Sequence, residues 1–115
     1  MKRRGYVPER GDAIWLDFDP QAGREQAGRR PAIVLSPAAY NGKSGLAIIC
    51  PVTSRVKGYP FETPLPGDLP LSGVVLADHA RSLDWNARRA ELICQLPAEV
   101  VQDVAAKLIA LVAED

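Results

Sequence analysis

The sequence is poor in the residues from which metal and redox sites are built. Its 115 residues include one histidine, two cysteines and one methionine. A structural zinc site needs four closely placed ligands, which one histidine and two isolated cysteines cannot supply. We therefore expect no metal and no cofactor. Cys50 and Cys94 both lie within apolar runs, which favours buried free thiols over a disulfide.

Long apolar runs are also missing. The longest, from Leu46 to Val52, has the length of a strand and falls well short of the ~18 residues that cross a bilayer. The basic start of the chain continues into Glu9, Arg10 and Asp12, where a signal peptide would carry its apolar core. With 47% apolar and 24% charged residues, the composition excludes a disordered chain. We predict one soluble, cytoplasmic domain over residues 1–115.

The chain carries no net charge, but its two halves differ in sign. Residues 1–57 contain ten basic and five acidic side chains, whereas residues 58–115 contain four basic and nine acidic ones. Arginine outnumbers lysine ten to four. Because the guanidinium fork suits phosphates and bases, this excess favours an anionic partner, although GC-rich codon usage would raise the arginine content equally well.

Turn residues separate a series of strand-like runs from one final helical pattern. The runs predict strands at 13–18, 31–36, 46–53, 59–65, 72–83 and 89–96, with at most one helical turn at 37–42. Pro97 suits the start of a helix at 98–113, whose apolar stripe comprises Val101, Val104, Ala105, Leu108 and Val112. This order predicts a mainly β protein, a small barrel of five or six strands closed by a C-terminal helix.

No phosphate-binding glycine loop, paired histidines or nucleophile elbow is present, so the chemistry must come from the long loop at 19–30. This loop contains Glu25 and ends at Arg30, and pairing of the flanking strands would bring these two together. Thr53 ends a neighbouring strand, where its hydroxyl can join the same rim. From the residues alone, a solvated loop with a weak ion pair is the competing interpretation.

The order of motifs resembles the MazF/PemK toxin family. The resemblance rests on residues 11–20, on Gly-Arg-Glu-Gln-Ala-Gly-Arg-Arg-Pro at 23–31, on Pro-Val-Thr-Ser at 51–54 and on Lys-Gly-Tyr-Pro-Phe at 57–61. It covers nearly the whole chain and weakens only in the terminal helix. The resemblance implies an SH3-like barrel of the CcdB/PemK type and the toxin of a type II toxin–antitoxin module. It also implies a homodimer that cleaves single-stranded mRNA at a short sequence, independently of the ribosome.

The resemblance assigns catalytic roles to Arg30 and Thr53 and a helping role to Glu25. Cleavage without a metal uses the ribose 2′-OH as the nucleophile and leaves a 2′,3′-cyclic phosphate and a 5′-OH. Arg30 can stabilise the phosphorane charge, and Glu25 is an easier general base than an arginine with a pKa above ~12. An alternative arginine–aspartate pair is incomplete here, because Asp78 is present but Leu76 occupies the arginine position. We leave His79 out of the catalytic set.

A second group of residues is predicted to bind RNA. It contains cationic and amide side chains of both loops and one aromatic ring, namely Arg24, Gln26, Arg29, Arg55, Lys57 and Tyr59. The expected partners are the RNA substrate and a cognate antitoxin with an acidic tail. The competing function is a non-enzymatic toxin of the CcdB type, which poisons DNA gyrase by binding. Such a protein has no need of Glu25, Arg30 and Thr53 on one rim.

Overall fold

Seven strands and two helices form the described part of the chain, which in this computed structural model comprises residues 5–18 and 28–113. The strands are β1 (Asp12–Asp17), β2 (Arg29–Val34), β3 (Leu46–Thr53), β4 (Glu62–Pro64), β5 (Val74–Leu76), β6 (Arg81–Asp84) and β7 (Glu91–Gln95). The helices are α1 (Ala38–Ser44) and α2 (Ala98–Val112), and a short 3₁₀ helix spans Ala77–His79. Within the described ranges, no helix has the length and apolar character needed to cross a membrane.

The strands form one antiparallel sheet in the order β4-β5-β3-β2-β1-β7. Strand β3 is the longest and has three partners. Its first half pairs with β6, its end pairs with β5, and its other edge pairs with β2. Neighbours such as β1 and β2 are consecutive in the chain, so short connections suffice to place them side by side.

Alternate residues of the central strands point to opposite faces of the sheet, and both faces are buried. One face contributes Ala13, Ile33 and Cys50 to a core that Val101 and Val104 of α2 cover. The other face contributes residues of β1, β2, β3 and β6, with Tyr6 and Trp85 packed against them. Since no long helix of the described residues covers this second core, the sheet curls around it, as in a small barrel.

The mainly β fold with a C-terminal helix confirms the sequence prediction, and the strand at 46–53 has the predicted bounds. The described residues form seven strands where five or six were predicted, because the run 72–83 is not one strand. The 3₁₀ helix Ala77–His79 divides it into β5 and β6, at the point where the edge of β3 passes from one partner to the other. The single helical turn predicted at 37–42 is a seven-residue helix, α1.

The predicted helical stripe is confirmed through Leu108, which is half-buried against the same core, and is wrong only at Val112. Val101 and Val104 are buried, and Val100 joins them. Val112, the last residue of α2, is 72% exposed. Both cysteines are free as predicted, with Cys50 buried and Cys94 half-buried. Burial raises the pKa of the Cys50 thiol to about 12, so this thiol stays protonated.

The end of β3 is packed against a glycine that no other residue can replace without rearrangement. Gly73 has a φ of +117°, and a Cβ at this position would overlap the carbonyl oxygen of Thr53 and lie 2.9 Å from its carbonyl carbon. Both atoms belong to the backbone, so they cannot move aside as a flexible side chain would. Gly73 therefore sets where the last residue of β3 lies.

We expect Gly73→Ala to lower the free energy of unfolding by at least about 1 kcal/mol, because it adds backbone strain and a steric overlap. Urea titration followed by circular dichroism measures this loss. Gly67→Ala is the matched control, since a Cβ at Gly67 would meet no atom within 4 Å. Equal urea midpoints for the two variants would contradict the assigned packing.

Candidate active site

Two of the predicted catalytic residues lie at neighbouring strand ends. Arg30 is an exposed residue of β2 that pairs with Leu16 across to β1. The register of β2 with β3 pairs Ala32 with Pro51, and Arg30 and Thr53 lie two residues beyond that pair on their respective strands. Side chains two residues apart on a strand share a face. The register therefore assigns Arg30 and Thr53 to the same face and the same end of the sheet.

Thr53 is 7% exposed, and its environment holds it in place. It pairs with Val74 of β5, and Gly73 packs against its carbonyl group. Its hydroxyl oxygen accepts a hydrogen bond of 3.1 Å from the backbone N–H of Arg55. The hydroxyl can still donate its own proton, because the hydrogen bond from Arg55 occupies only a lone pair of the hydroxyl oxygen.

The loop at 54–61, which connects β3 to β4, carries three of the residues predicted to bind RNA. Arg55 and Lys57 are both exposed. Tyr59 is half-buried, and its hydroxyl donates to the carboxylate of Asp78, with distances of 2.9 Å and 3.1 Å to the two oxygens. Desolvation, followed by this hydrogen bond, raises the pKa of Tyr59. This hydrogen bond holds the phenol of Tyr59 against the 3₁₀ helix, while Arg55 and Lys57 remain at the surface.

Arg29 differs from these cations because acidic groups surround it. Its guanidinium donates to Asp17 and to Glu91, each at 3.0 Å, and to the carbonyl oxygen of Arg89 at 2.8 Å. The Asp17 carboxylate also accepts from the Arg89 side chain at 2.8 Å. Arg29 was predicted to bind RNA, and such binding would compete with these contacts.

The Asp17–Arg29 pair lies where the long first loop leaves and rejoins the sheet. The two residues are register partners at the ends of β1 and β2, and the Phe18 N–H donates to the Gly28 carbonyl oxygen at 2.8 Å just beyond them. The residues between these ends include Arg24, Glu25 and Gln26. All three predicted site residues lie outside the described residues, so their positions relative to Arg30 stay predictions.

Several contacts at this end of the sheet were not predicted from the sequence. Arg89 has a positive φ of 57° in the turn between β6 and β7, which directs it toward Asp17. Glu62 is buried and accepts hydrogen bonds from the backbone of the 54–61 loop. The sequence contains no signal for either contact, because acidic and basic residues are ordinarily exposed and their partners are distant in the chain.

The site can bind and stabilise a negative charge. Arg30 supplies a guanidinium with a planar fork of donors, and Thr53 supplies a hydroxyl. His79, the only histidine, has its Nε2 atom 4.0 Å from Oδ1 of Asp78, outside this pair. Within residues 5–18 and 28–113, no three histidine, cysteine, aspartate or glutamate side chains are grouped so that they could hold a metal ion.

Comparison with known proteins gives consistent matches over the chain. Residues 9–112 match the model of the family described as PemK-like, MazF-like toxin of type II toxin–antitoxin system. The endoribonuclease toxin MazF of Escherichia coli K12 is 49% identical over 107 residues, which are 93% of this chain and 96% of that protein. The endoribonuclease PemK of Escherichia coli is 36% identical, with 94% of this chain and 84% of that protein covered.

Solved structures agree with the sequence matches. The crystal structure of MazF from Deinococcus radiodurans has a TM-score of 0.90 and 64% identity, and the match covers 92% of this chain and 96% of that one. A chain from a MazE–MazF complex of the same organism has a TM-score of 0.85 and 56% identity, covering 96% and 99%. The family match over residues 9–112 includes the strands that carry Arg30 and Thr53.

The Asp17 network predicts a dependence of stability on acid. The hydrogen bond from Arg89, together with Arg29, holds the pKa of Asp17 below its ordinary value despite some desolvation. Its contribution to the free energy of unfolding is therefore present above about pH 4 and is lost as the pH falls through the lowered pKa. Because Asp17 and its partners are partly exposed, we expect this contribution to the free energy of unfolding to be less than about 1 kcal/mol.

Urea midpoints at pH 7 and pH 3 test this contribution. The difference between the two pH values should be smaller for Asp17→Asn than for the unmodified protein, because the variant has no carboxylate to protonate. Asp68→Asn, at an exposed turn, is the control and should keep the full difference. An unchanged difference in Asp17→Asn would show that the network does not stabilise the fold.

Proposed function

Because this chain belongs to the PemK-like, MazF-like toxin family of type II toxin–antitoxin systems, we propose that it is an endoribonuclease that cleaves single-stranded mRNA at a short sequence. The reaction requires neither a metal ion nor the ribosome. The observation that carries the proposal is the placement of Arg30 and Thr53 at the same end of neighbouring strands. An exposed guanidinium and a hydroxyl share one face at one end of the sheet, flanked by the cationic loop at 54–61.

The chemistry proposed for this site is an internal transesterification. The ribose 2′ oxygen attacks the adjacent phosphorus, a new P–O2′ bond forms, and the P–O5′ bond breaks. One proton leaves the 2′-OH and one is delivered to the 5′ oxygen, so the products are a 2′,3′-cyclic phosphate and a 5′-OH. Arg30 binds the non-bridging oxygens and Thr53 donates to the same phosphate, which stabilises the charge that develops on the phosphorane.

Glu25 is the proposed general base that accepts the 2′ proton. A carboxylate is suited to this role because it is deprotonated at neutral pH, whereas arginine keeps its proton in proteins. Glu25 lies in the loop whose two ends the Asp17–Arg29 pair holds together. That loop also carries Arg24 and Gln26, which we propose as RNA contacts.

Arg55, Lys57 and Tyr59 extend the proposed RNA surface from the other side of Thr53. The two cations are exposed and suited to backbone phosphates, while the ring of Tyr59 can stack on an unpaired base. Arg29 completes the proposed set. We expect its contribution to be smaller than that of Arg55, because Asp17 and Glu91 already neutralise its charge.

The proposed partners follow from the same site. An antitoxin with an acidic tail would cover the cationic rim and exclude RNA, and the similarity to a chain of a MazE–MazF complex supports this.

We also propose a homodimer that acts on mRNA in the cytoplasm. In support of a dimer, Leu46 and Ile48 on one face of β3 are 37% and 38% exposed. Light scattering coupled to size-exclusion chromatography measures the mass of the assembly.

Cleavage of a long single-stranded RNA in the presence of EDTA tests the proposed activity. The unmodified protein should make discrete cuts with cyclic-phosphate ends. Arg30→Ala and Thr53→Val should each slow cleavage by about 100-fold or more, because each removes a group that stabilises the phosphorane. Thr53→Ser keeps the hydroxyl and should retain most of the activity. Arg10→Ala, which changes an exposed arginine outside the site, is the control.

Two outcomes would contradict this function. Cleavage that EDTA abolishes would exclude the metal-independent reaction. No cleavage by a folded protein free of antitoxin would favour a binding toxin of the CcdB type, whose target, DNA gyrase, would then be tested directly. Full activity of Arg30→Ala would be compatible with a nuclease but would contradict the catalytic role proposed for Arg30.

A further inference from the structure

The 54–61 loop is built around a buried carboxylate. Glu62, the first residue of β4, is 7% exposed. Its Oε2 atom accepts from the Lys57 N–H at 3.0 Å and its Oε1 atom accepts from the Gly58 N–H at 2.8 Å. Both oxygens of one side chain therefore hold two successive amides of the loop. Successive N–H groups that converge in this way form a concave anion-binding turn, which Glu62 occupies from within the protein.

Gly58 has the backbone conformation that this turn needs. Its φ is +82°, in the left-handed region that favours glycine, and a Cβ there would meet no atom within 4 Å. The side chain of Lys57, whose N–H is bound, is exposed. The turn thus separates an internal face that binds Glu62 from an external face that carries the cation.

The main chain of Glu62 is itself held by helix α2. The Lys107 ammonium donates to the Glu62 carbonyl oxygen at 2.8 Å and to the Thr63 hydroxyl oxygen at 3.1 Å. Thr63 donates in turn to Asp103 at 2.8 Å. The carboxylate therefore projects from a fixed backbone, which allows it to fix the loop above it.

We propose that Glu62 is a positioning residue for RNA binding, which holds the 54–61 loop so that Arg55 and Lys57 contact backbone phosphates beside Thr53. This inference rests on the proposed nuclease function. The hydrogen bond from the Arg55 N–H to the Thr53 hydroxyl joins the same loop to the site at its other end. Glu62 touches neither the RNA nor the reacting atoms, and acts through the loop backbone.

The sign of the effect separates positioning from simple electrostatics. A carboxylate beneath a cationic loop repels RNA, so removal of its charge alone would strengthen binding. If Glu62 positions the loop, removal weakens binding instead. In Glu62→Gln the side chain keeps its size, but its NH₂ group must face one of the two loop N–H groups, and that hydrogen bond is broken.

Binding and cleavage by Glu62→Gln test the proposal. The probe is a 2′-O-methyl version of a single-stranded RNA that the unmodified protein cleaves, so affinity is measured without reaction. We expect affinity to fall about tenfold, as for removal of one charge-assisted hydrogen bond. The slope of log affinity against log salt should fall by about 0.7 for each phosphate that a cation no longer neutralises. At saturating RNA, kcat should stay near that of the unmodified protein.

Matched controls distinguish this role from general destabilisation. Glu99→Gln makes the same chemical change at an exposed position in the first turn of α2 and should leave affinity and salt slope unchanged. In a variant that already carries Arg55→Ala and Lys57→Ala, Glu62→Gln should add little, because the cations that it positions are gone. A purely structural role would lower the active fraction without changing the salt slope.

A second variant covers the case in which Glu62→Gln does not fold. Gly58→Ala strains the turn without touching Glu62 or any packed atom, and should reproduce the decrease in affinity and in salt slope. Its control is Gly45→Ala, which imposes similar strain at the end of α1, where φ is +76°.

Two results would overturn the inference while leaving the nuclease intact. One is an unmodified protein that cuts RNA together with a Glu62→Gln variant of equal or higher affinity and equal salt slope. The other is Gly58→Ala with unchanged binding. Failure of the unmodified protein both to bind and to cut RNA would instead refute the proposed function.

Discussion

The pairing of strand β3 with three neighbours is the constraint on which the rest of the structure depends. β2 occupies one edge of this strand, while β6 and then β5 share the other. Alternate residues of β3 enter the two apolar cores, so the strand joins the part covered by α2 to the part enclosed by the curled sheet. Its last residue, Thr53, is consequently held by hydrogen bonds, by β5 and by the backbone of Gly73. A candidate catalytic hydroxyl thus lies on the most constrained strand of the fold.

Buried or bridging carboxylates organise the adjoining ends of β1 and β2 and the 54–61 loop. Asp17 draws Arg29 and Arg89 together at the base of the first loop, and Glu62 binds two amides of the second. In both cases an acidic group is used internally, within a surface whose proposed ligand is an anion. These internal contacts hold Arg29, Arg89 and the loop amides in place, while the side chains of Arg30, Arg55 and Lys57 lie on the exposed side. The internal carboxylates weaken the attraction between this surface and RNA only slightly. Solvent screens their charge from distant phosphates more effectively than from the cations and amides that they contact.

Sequence reasoning reached the elements with strong local patterns. The apolar run at 46–53 and the stripe of α2 through Leu108 behave as their periodicity predicts, because burial follows directly from spacing. The prediction of one strand at 72–83 was wrong. The apolar residues are continuous there, but the 3₁₀ helix Ala77–His79 interrupts the strand and the pairing with β3 changes at that point. Arg30 and Thr53 were predicted as site residues from their positions at strand ends and from the motif resemblance, and their common face follows from the strand register. Glu62 and Arg89 could not be identified, because each acts on a partner that the linear sequence does not place beside it.

The sequence alone therefore determined the local features of this protein: where most of the strands lie, where the helix begins, which residue types can bind phosphate, and which toxin family the motifs resemble. These depend on the order and spacing of neighbouring residues, whose energetics are local. The tertiary structure alone decided which charges are used internally and which remain exposed, and where β3 exchanges partners. Those outcomes depend on contacts between residues up to 72 positions apart, such as Arg89 with Asp17, and such contacts form only when the sheet brings its strand ends together.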